Sequence, residues 1–218
     1  MIQHLHPYDI LALGHVKRWH TVETARAQTL AEHTGRGAML AVWLGHRLPV
    51  GQFDHRDELA LWRAFMVHDM PKTQNGDVPN PSKQVLNRLE SIDYDALMDG
   101  IFWEARGCGN PMATVSPVVL ALLRLADVLE AACFYWASGL TERRPGQPPL
   151  KIVIAQEALV ATERLLPELH AAVAEVLHAA GLGDELIDQL REAAREVLRR
   201  ERQAQRLAEG GEAGEMSA

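Results

Sequence analysis

The chain has 218 residues, enough for one domain, or one domain with an appendage. Hydrophobic residues make up 47% and charged residues 23%, which supplies a core and excludes a disordered chain. Lys and Arg number 22 against 29 Asp and Glu, a formal net charge of −7, so the chain is not a generic binder of nucleic acid polymers, whose affinity comes from cations meeting phosphates.

In chain order the pattern is almost wholly helical, with Ala, Leu, Arg and Glu dominant and little Val/Ile/Thr alternation. A short helix is expected over 8–15, then an irregular segment through Arg18-Trp19 and Glu23-Thr24. Thr29 and Glu32 have the spacing of a capping box, opening a helix to about 47. Asp54 caps the next helix, whose Leu59, Trp62, Phe65 and Met66 form an apolar stripe, and Pro71 ends it. Residues 71–82, PKTQNGDVPNPS, read as an ordered polar loop. One or two helices follow to about 106, with a break near 107–111. Ser116-Pro117 is a cap with proline at the first helical position, opening a strongly apolar helix to about 138. Residues 141–149 read as a surface loop, and 151–166 and 167–180 as helices jointed at Pro167. A last helix starts at Asp184 and runs to about 207. The expectation is one all-α domain of about seven to nine helices over 1–209, given a typical helix length of about 11 residues, and a flexible tail over 210–218.

Two cysteines, Cys108 and Cys133, exclude a disulfide-dense scaffold and a Cys-rich zinc fold. The first residues show no basic region before an apolar run, and no segment reaches the ~18 apolar residues of a membrane span. The expected location is cytoplasmic, with no membrane partner.

Three places in the chain carry unusual chemistry. His33 follows Glu32 in the first turn of its helix. His68 and Asp69 sit together at a helix end, at the mouth of the polar loop. Asp127 interrupts the apolar run Leu122-Leu123-Arg124-Leu125-Ala126-Asp127-Val128-Leu129, where an unpaired buried carboxylate is costly. Two imidazoles and two carboxylates suit a divalent transition metal such as Mn²⁺, Co²⁺, Fe²⁺, Ni²⁺ or Zn²⁺. The residues alone leave a second reading open: a helix-end His68, an Asp127 paired with an arginine, and a satisfied core His33.

The order His33, His68-Asp69, Asp127 resembles the H…HD…D signature of the HD-domain metal-dependent phosphohydrolases. Arg18-Trp19, Gln28-Thr29-Leu30-Ala31-Glu32-His33 and Gly76-Asp77-Val78-Pro79-Asn80-Pro81-Ser82-Lys83 resemble the bacterial 5′-deoxynucleotidase branch and its phage relatives that hydrolyse deoxynucleoside triphosphates, dATP in particular. The likeness covers about 16–136; the C-terminal third carries no motif of the family. It implies an HD-type helical bundle that hydrolyses 2′-deoxynucleotides, foremost as a 5′-deoxynucleotidase releasing deoxynucleoside and phosphate, alternatively as a triphosphohydrolase releasing triphosphate. It also implies that His33, His68, Asp69 and Asp127 hold the metal, which lowers the pKa of a water whose hydroxide attacks phosphorus in line. Arg18 would grip phosphate, with Lys83 a second cation for it. Trp19 would pack on the sugar and exclude a 2′-hydroxyl, and Asp77 would accept from the 3′-hydroxyl. A homodimer is implied as well.

The chain departs from that branch in one position. A glutamate near the reactive water normally stands three residues after the Asp of the HD pair; here Lys72 stands there. Three outcomes follow. Water is activated without that acid, with Asp77 or Glu104 substituting. Lys72 binds phosphate, favouring a longer polyphosphate. Or catalysis is lost and nucleotide binding retained.

Overall fold

The computed structural model describes residues 5–90, 93–140 and 146–215. Its α-helices are α1 (Pro7–Ala12), α2 (Leu30–Gly45), α3 (His55–His68), α4 (Lys72–Asn75), α5 (Asn80–Glu90), α6 (Tyr94–Glu104), α7 (Pro117–Ser138), α8 (Leu150–Leu165), α9 (His170–Ala179) and α10 (Asp184–Glu215). Short 3-10 turns at Pro111–Thr114 and Pro167–Leu169 precede α7 and α9. The all-α expectation holds, with one local addition. Residues Lys17–Arg18 (β1) and Gln28–Thr29 (β2) pair antiparallel, with Arg18 opposite Gln28, where only an irregular segment was expected. Two-residue strands carry no alternation for a sequence pattern to reveal. The loop expected at 71–82 contains the single turn α4 and gives way to α5 at Asn80, and the surface loop expected at 141–149 lies outside the described residues over 141–145. The last helix continues past 207 to Glu215. Among the described residues no helix is long and apolar enough to cross a membrane.

The apolar helix α7 is the axis of the core. Ser116 accepts from the Val119 amide at its start, and Pro117 presets the first turn. Leu122, Leu125 and Leu129 are wholly buried along it, against Ala38, Ala41 and Leu44 of α2, Leu61 and Phe65 of α3, and Ala158 and Leu159 of α8. Each such leucine is worth about 1.5–3 kcal/mol of burial. Small residues on α2 allow its close approach to α3. A Cβ on Gly37 would lie 2.5 Å from the Phe65 ring, so the crossing requires glycine there. A second apolar cluster of Leu5, Leu13, Leu30, Val67, Met70, Phe102 and Trp103 holds the N-terminal segment and α6 to the ends of α2 and α3.

One buried ion pair fastens that second cluster. Arg106, just after α6, donates from Nε and Nη2 to Asp9 of α1 at 3.1 and 2.5 Å. Burial pushes the Asp9 carboxyl up, but the Arg106 hydrogen bonds outweigh it and hold its pKa below the ordinary value. A depressed folded-state pKa means that the stabilisation is present above the unfolded-state pKa and lost as pH falls through the folded one. Asp9→Asn is therefore expected to cost about 2 kcal/mol at neutral pH, the value of hydrogen bonds to a charged group. The gap to wild type should narrow below about pH 4. Urea unfolding across that range checks it; a gap independent of pH would show that the charge is not responsible.

Candidate active site

Three helices deliver the chemical groups to one point. His33 stands in the first turn of α2 and is fully buried, His68 is the last residue of α3, and Asp127 is midway along α7. Asp69 caps α3 with φ −99° and ψ 4°, the bridge region between helix and turn, so the helix stops before Pro71 is reached. His33 Nε2 lies 2.8 Å from Asp127 Oδ1 and 3.8 Å from Asp69 Oδ2. His68 Nε2 lies 3.6 Å from Asp69 Oδ1 and 4.0 Å from Asp127 Oδ1. One donor atom each from His33, His68 and Asp127 falls within 4.8 Å of the other two, a spacing that one ion can span.

The far nitrogens of both rings are anchored. His33 Nδ1 is 2.6 Å from Glu130 Oε2, and His68 Nδ1 is 2.8 Å from the Phe65 carbonyl. Such partners fix the ring orientation and leave Nε2 to face the centre. His33 Nε2, His68 Nε2 and Asp69 Oδ2 are buried there without any hydrogen bond. Unsatisfied donors and acceptors are expensive in a buried site, and a divalent cation would satisfy all three. The residues present therefore fit a metal, and mixed imidazole and carboxylate donors favour a transition ion. Burial pushes the His33 imidazole down, but the Asp127 and Glu130 carboxylates beside its two nitrogens outweigh this and raise its pKa. Burial pushes Asp127 up, and the adjacent His33 imidazole, with the Arg18 charge, outweighs it in the opposite direction.

Positive side chains surround this cluster. Arg18, on β1, places Nη1 3.8 Å from Asp127 and 4.0 Å from Asp69, while its Nε and Nη1 are buried without hydrogen-bond partners. Lys72 sits 2.7 Å from Asp69 Oδ1 and 3.3 Å from Asp77 Oδ1. Burial pushes the Lys72 ammonium down, but Asp69 and Asp77 prevail and hold its pKa above the ordinary lysine value. A cleft of about 180 Å³ opens beside the cluster, with His68, Asp69 and Asp127 at its wall and Lys72, Lys83 and Asp99 around it. A wider groove of about 700 Å³ runs along the other side of α3 past Arg56, Arg63 and Val115, and contains none of the metal-facing residues.

The remaining expected site residues lie close by, with engaged side chains. Asp77 is paired with Lys72, and Lys83 places Nζ 2.6 Å from Asp95 Oδ1. Trp19 packs on Tyr135 and Phe134, with ring centroids at 5.1 and 6.2 Å, and its indole N–H donates to Gln28 at 2.8 Å. Its φ of +62° is the left-handed region, a strain of about 1–2 kcal/mol for a residue with a Cβ. Three expectations need correction. The Asp127 side chain is 36% exposed, because it faces the cleft and not the core. Thr29 does accept from the Glu32 amide, but the Glu32 carboxylate is taken by Arg26 and Arg36, so the capping box is half formed. Glu104 is exposed on α6 in a separate depression by Trp103 and Gly107, and does not line the cleft by His68 where an acid could replace the missing glutamate.

Sequence reasoning missed Glu130 and Asp99, and noted Gln28 within a motif without assigning it a role. Glu130 is 2% exposed, and a signal existed: it stands three residues after Asp127 in the same apolar helix, hence on the same face. Gln28 and Asp99 carry no such mark. Burial raises the Asp99 pKa, against a hydrogen bond from Asn110.

Added Mn²⁺ or Zn²⁺ should stabilise the folded chain by about 2.7 kcal/mol at a free concentration a hundredfold above Kd, and EDTA should reverse it. His68→Ala should abolish the shift. Thermal melts with and without the ion check this; an equal shift in His68→Ala would place the ion elsewhere.

No protein-family model matches the chain. It is 31% identical over 139 residues to the dATP triphosphohydrolase of Salmonella phage PMBT28, over 60% of this chain and 64% of that protein, so it spans just under two thirds of that relative. It is 30% identical over 138 residues to the dATP triphosphohydrolase of Cyanophage S-2L, over 61% of this chain and 71% of that protein. Among solved structures it resembles the Cyanophage S-2L HD phosphohydrolase (DatZ) bound to dA and one catalytic Zn²⁺ ion, with a TM-score of 0.55 over 90% of this chain and 98% of that one. At 22% identity that likeness shows the fold. With the H…HD…D residues converging on one point, the chain belongs to the HD-domain family of metal-dependent phosphohydrolases.

Proposed function

We propose that the chain hydrolyses 2′-deoxynucleoside triphosphates, dATP foremost, to deoxynucleoside and triphosphate. The sequence resemblance put 5′-deoxynucleotidase first; the names of the two phage relatives favour the triphosphohydrolase branch. The observation that carries the reading is the buried Arg18 guanidinium beside the His33–Asp127 cluster, with Nε and Nη1 lacking an acceptor. A phosphoryl group supplies the missing acceptors, and a guanidinium fork matches its oxygens. Lys72, a lysine where the resembling branch has an acid, adds a second positive charge and suits a polyphosphate better than a monophosphate.

His33, His68, Asp69 and Asp127 would hold the ion. When bound, the ion supplies acidification of water and charge offset at phosphorus. The new bond joins a water oxygen to the α-phosphorus. The bond broken is that between this phosphorus and O5′, which leaves with a proton. Arg18 holds the phosphoryl oxygens as charge builds on them, and Lys72 offsets the negative charge of the triphosphate chain. Trp19 closes against the deoxyribose, Asp77 accepts from its 3′-hydroxyl, and Lys83 lies along the cleft. A homodimer follows from the same family reading.

The test is turnover of dATP, dAMP, ATP and AMP with Mn²⁺, Co²⁺, Zn²⁺ or EDTA, products separated by ion exchange. Ion-dependent release of triphosphate from dATP but not from ATP is expected. Arg18→Met should lower kcat by roughly 10²–10³, the loss typical of one donor to a developing oxyanion. Phosphate from dAMP would return the reading to the nucleotidase branch. An ion-loaded chain that binds dATP without turnover would make it a binding protein.

A further inference from the structure

Gln28 and Glu130 lie in the core, 0% and 2% exposed, and neither side chain has a role in the reaction as described above. They form one continuous hydrogen-bonded chain. The Trp19 indole donates to Gln28 Oε1 at 2.8 Å. Gln28 Nε2 donates to both Glu130 oxygens at 2.9 and 3.1 Å. Glu130 Oε2 meets His33 Nδ1 at 2.6 Å, and Arg36 Nε closes the charge from outside at 3.3 Å from Oε1.

Every link has a fixed direction. An indole nitrogen only donates, so the Gln28 oxygen must face Trp19 and its NH₂ must face Glu130. The carboxylate then has to accept from His33 Nδ1–H, which presents the ring's Nε2 lone pair to the ion. At the other end, the indole bond and the ring contacts with Phe134 and Tyr135 hold Trp19 in its left-handed backbone conformation, which it would not adopt alone. β1 and β2 set the register of this chain. Arg18 stands opposite Gln28, and Trp19 follows directly after Arg18.

We propose that Gln28 and Glu130 are positioning residues that tie the seating of Trp19 to the ion-facing tautomer of His33, so that ion affinity and recognition of the substrate sugar are coupled. The sugar clause rests on the reading of Trp19 given above; the coupling clause does not. Coupling between two sites is reciprocal, so an ion that fixes His33 also fixes the indole, and a disturbed indole weakens the ion.

The experiment follows Zn²⁺ titrations by calorimetry and by the Trp19 indole ¹H–¹⁵N resonance, assigned by its loss in Trp19→Phe. The wild-type indole should move with ion saturation. Gln28→Met keeps the volume and removes both bonds; the indole should then no longer respond, and Zn²⁺ affinity should fall by roughly 10–100-fold, as for other partners of ligating histidines. Glu130→Gln should weaken the ion at least as much. If that variant fails to fold by circular dichroism, Gln28→Met decides on the same two readouts. A wild-type indole indifferent to Zn²⁺, or a folded Gln28→Met with affinity within about twofold of wild type, overturns the proposal. The ratio of dATP to ATP turnover in Trp19→Phe is read separately. An unchanged ratio removes Trp19 from the sugar and leaves the coupling standing or falling on the titrations.

Discussion

Two carboxylates and two imidazoles cannot converge at the end of a helical core unless positive charge sits among them. In this protein the charge has several sources: the Arg18 guanidinium, the Lys72 ammonium and the cation for which the donors are arranged. The helices fix where the acids stand, and the acids dictate where the cations must lie. Asp69 shows this most clearly. One oxygen is paired with Lys72, while the other faces the centre with no hydrogen bond. A carboxylate held by one oxygen in this way presents a defined lone pair on the other instead of rotating to find one.

The fold and the centre were legible in the sequence to different degrees. Helix α7 could be read to the residue because Ser116-Pro117 is a cap with an intrinsic mechanism and the apolar run behind it has no break. The end of α3 was read late, since Asp69 leaves helical geometry ahead of the proline that marks a stop in the sequence. The metal-facing residues were legible because each is chemically out of place in its segment. Glu130 was not, although it shares a face with Asp127, because a residue that acts through another has no motif of its own. Nor was the pairing of Lys17–Arg18 with Gln28–Thr29, which owes nothing to strand propensity and depends on where the flanking helices leave the chain.

Lys72 illustrates how a departure from a family pattern is absorbed. Replacing an acid by a lysine reverses a charge in a partly buried site, which in an apolar setting would be prohibitive. Here the lysine finds Asp69 and Asp77 within 2.7 and 3.3 Å, so the substitution neutralises acids that would otherwise repel one another and an anionic ligand.

Gly37 carries a consequence of its own. Where a methyl group would collide with the Phe65 ring, a hydrogen lets α2 and α3 close, and these are the helices that carry His33 and His68. The Phe65 ring in turn meets His68 edge-on, 5.0 Å between centroids. The separation of the two imidazoles is thus gauged by a missing carbon atom one turn from His33, on the same face of α2. The spacing of the donors depends on how two helices cross as well as on the donors themselves, and a side chain at position 37 would push α2 and α3 apart while every metal-facing residue stayed unchanged.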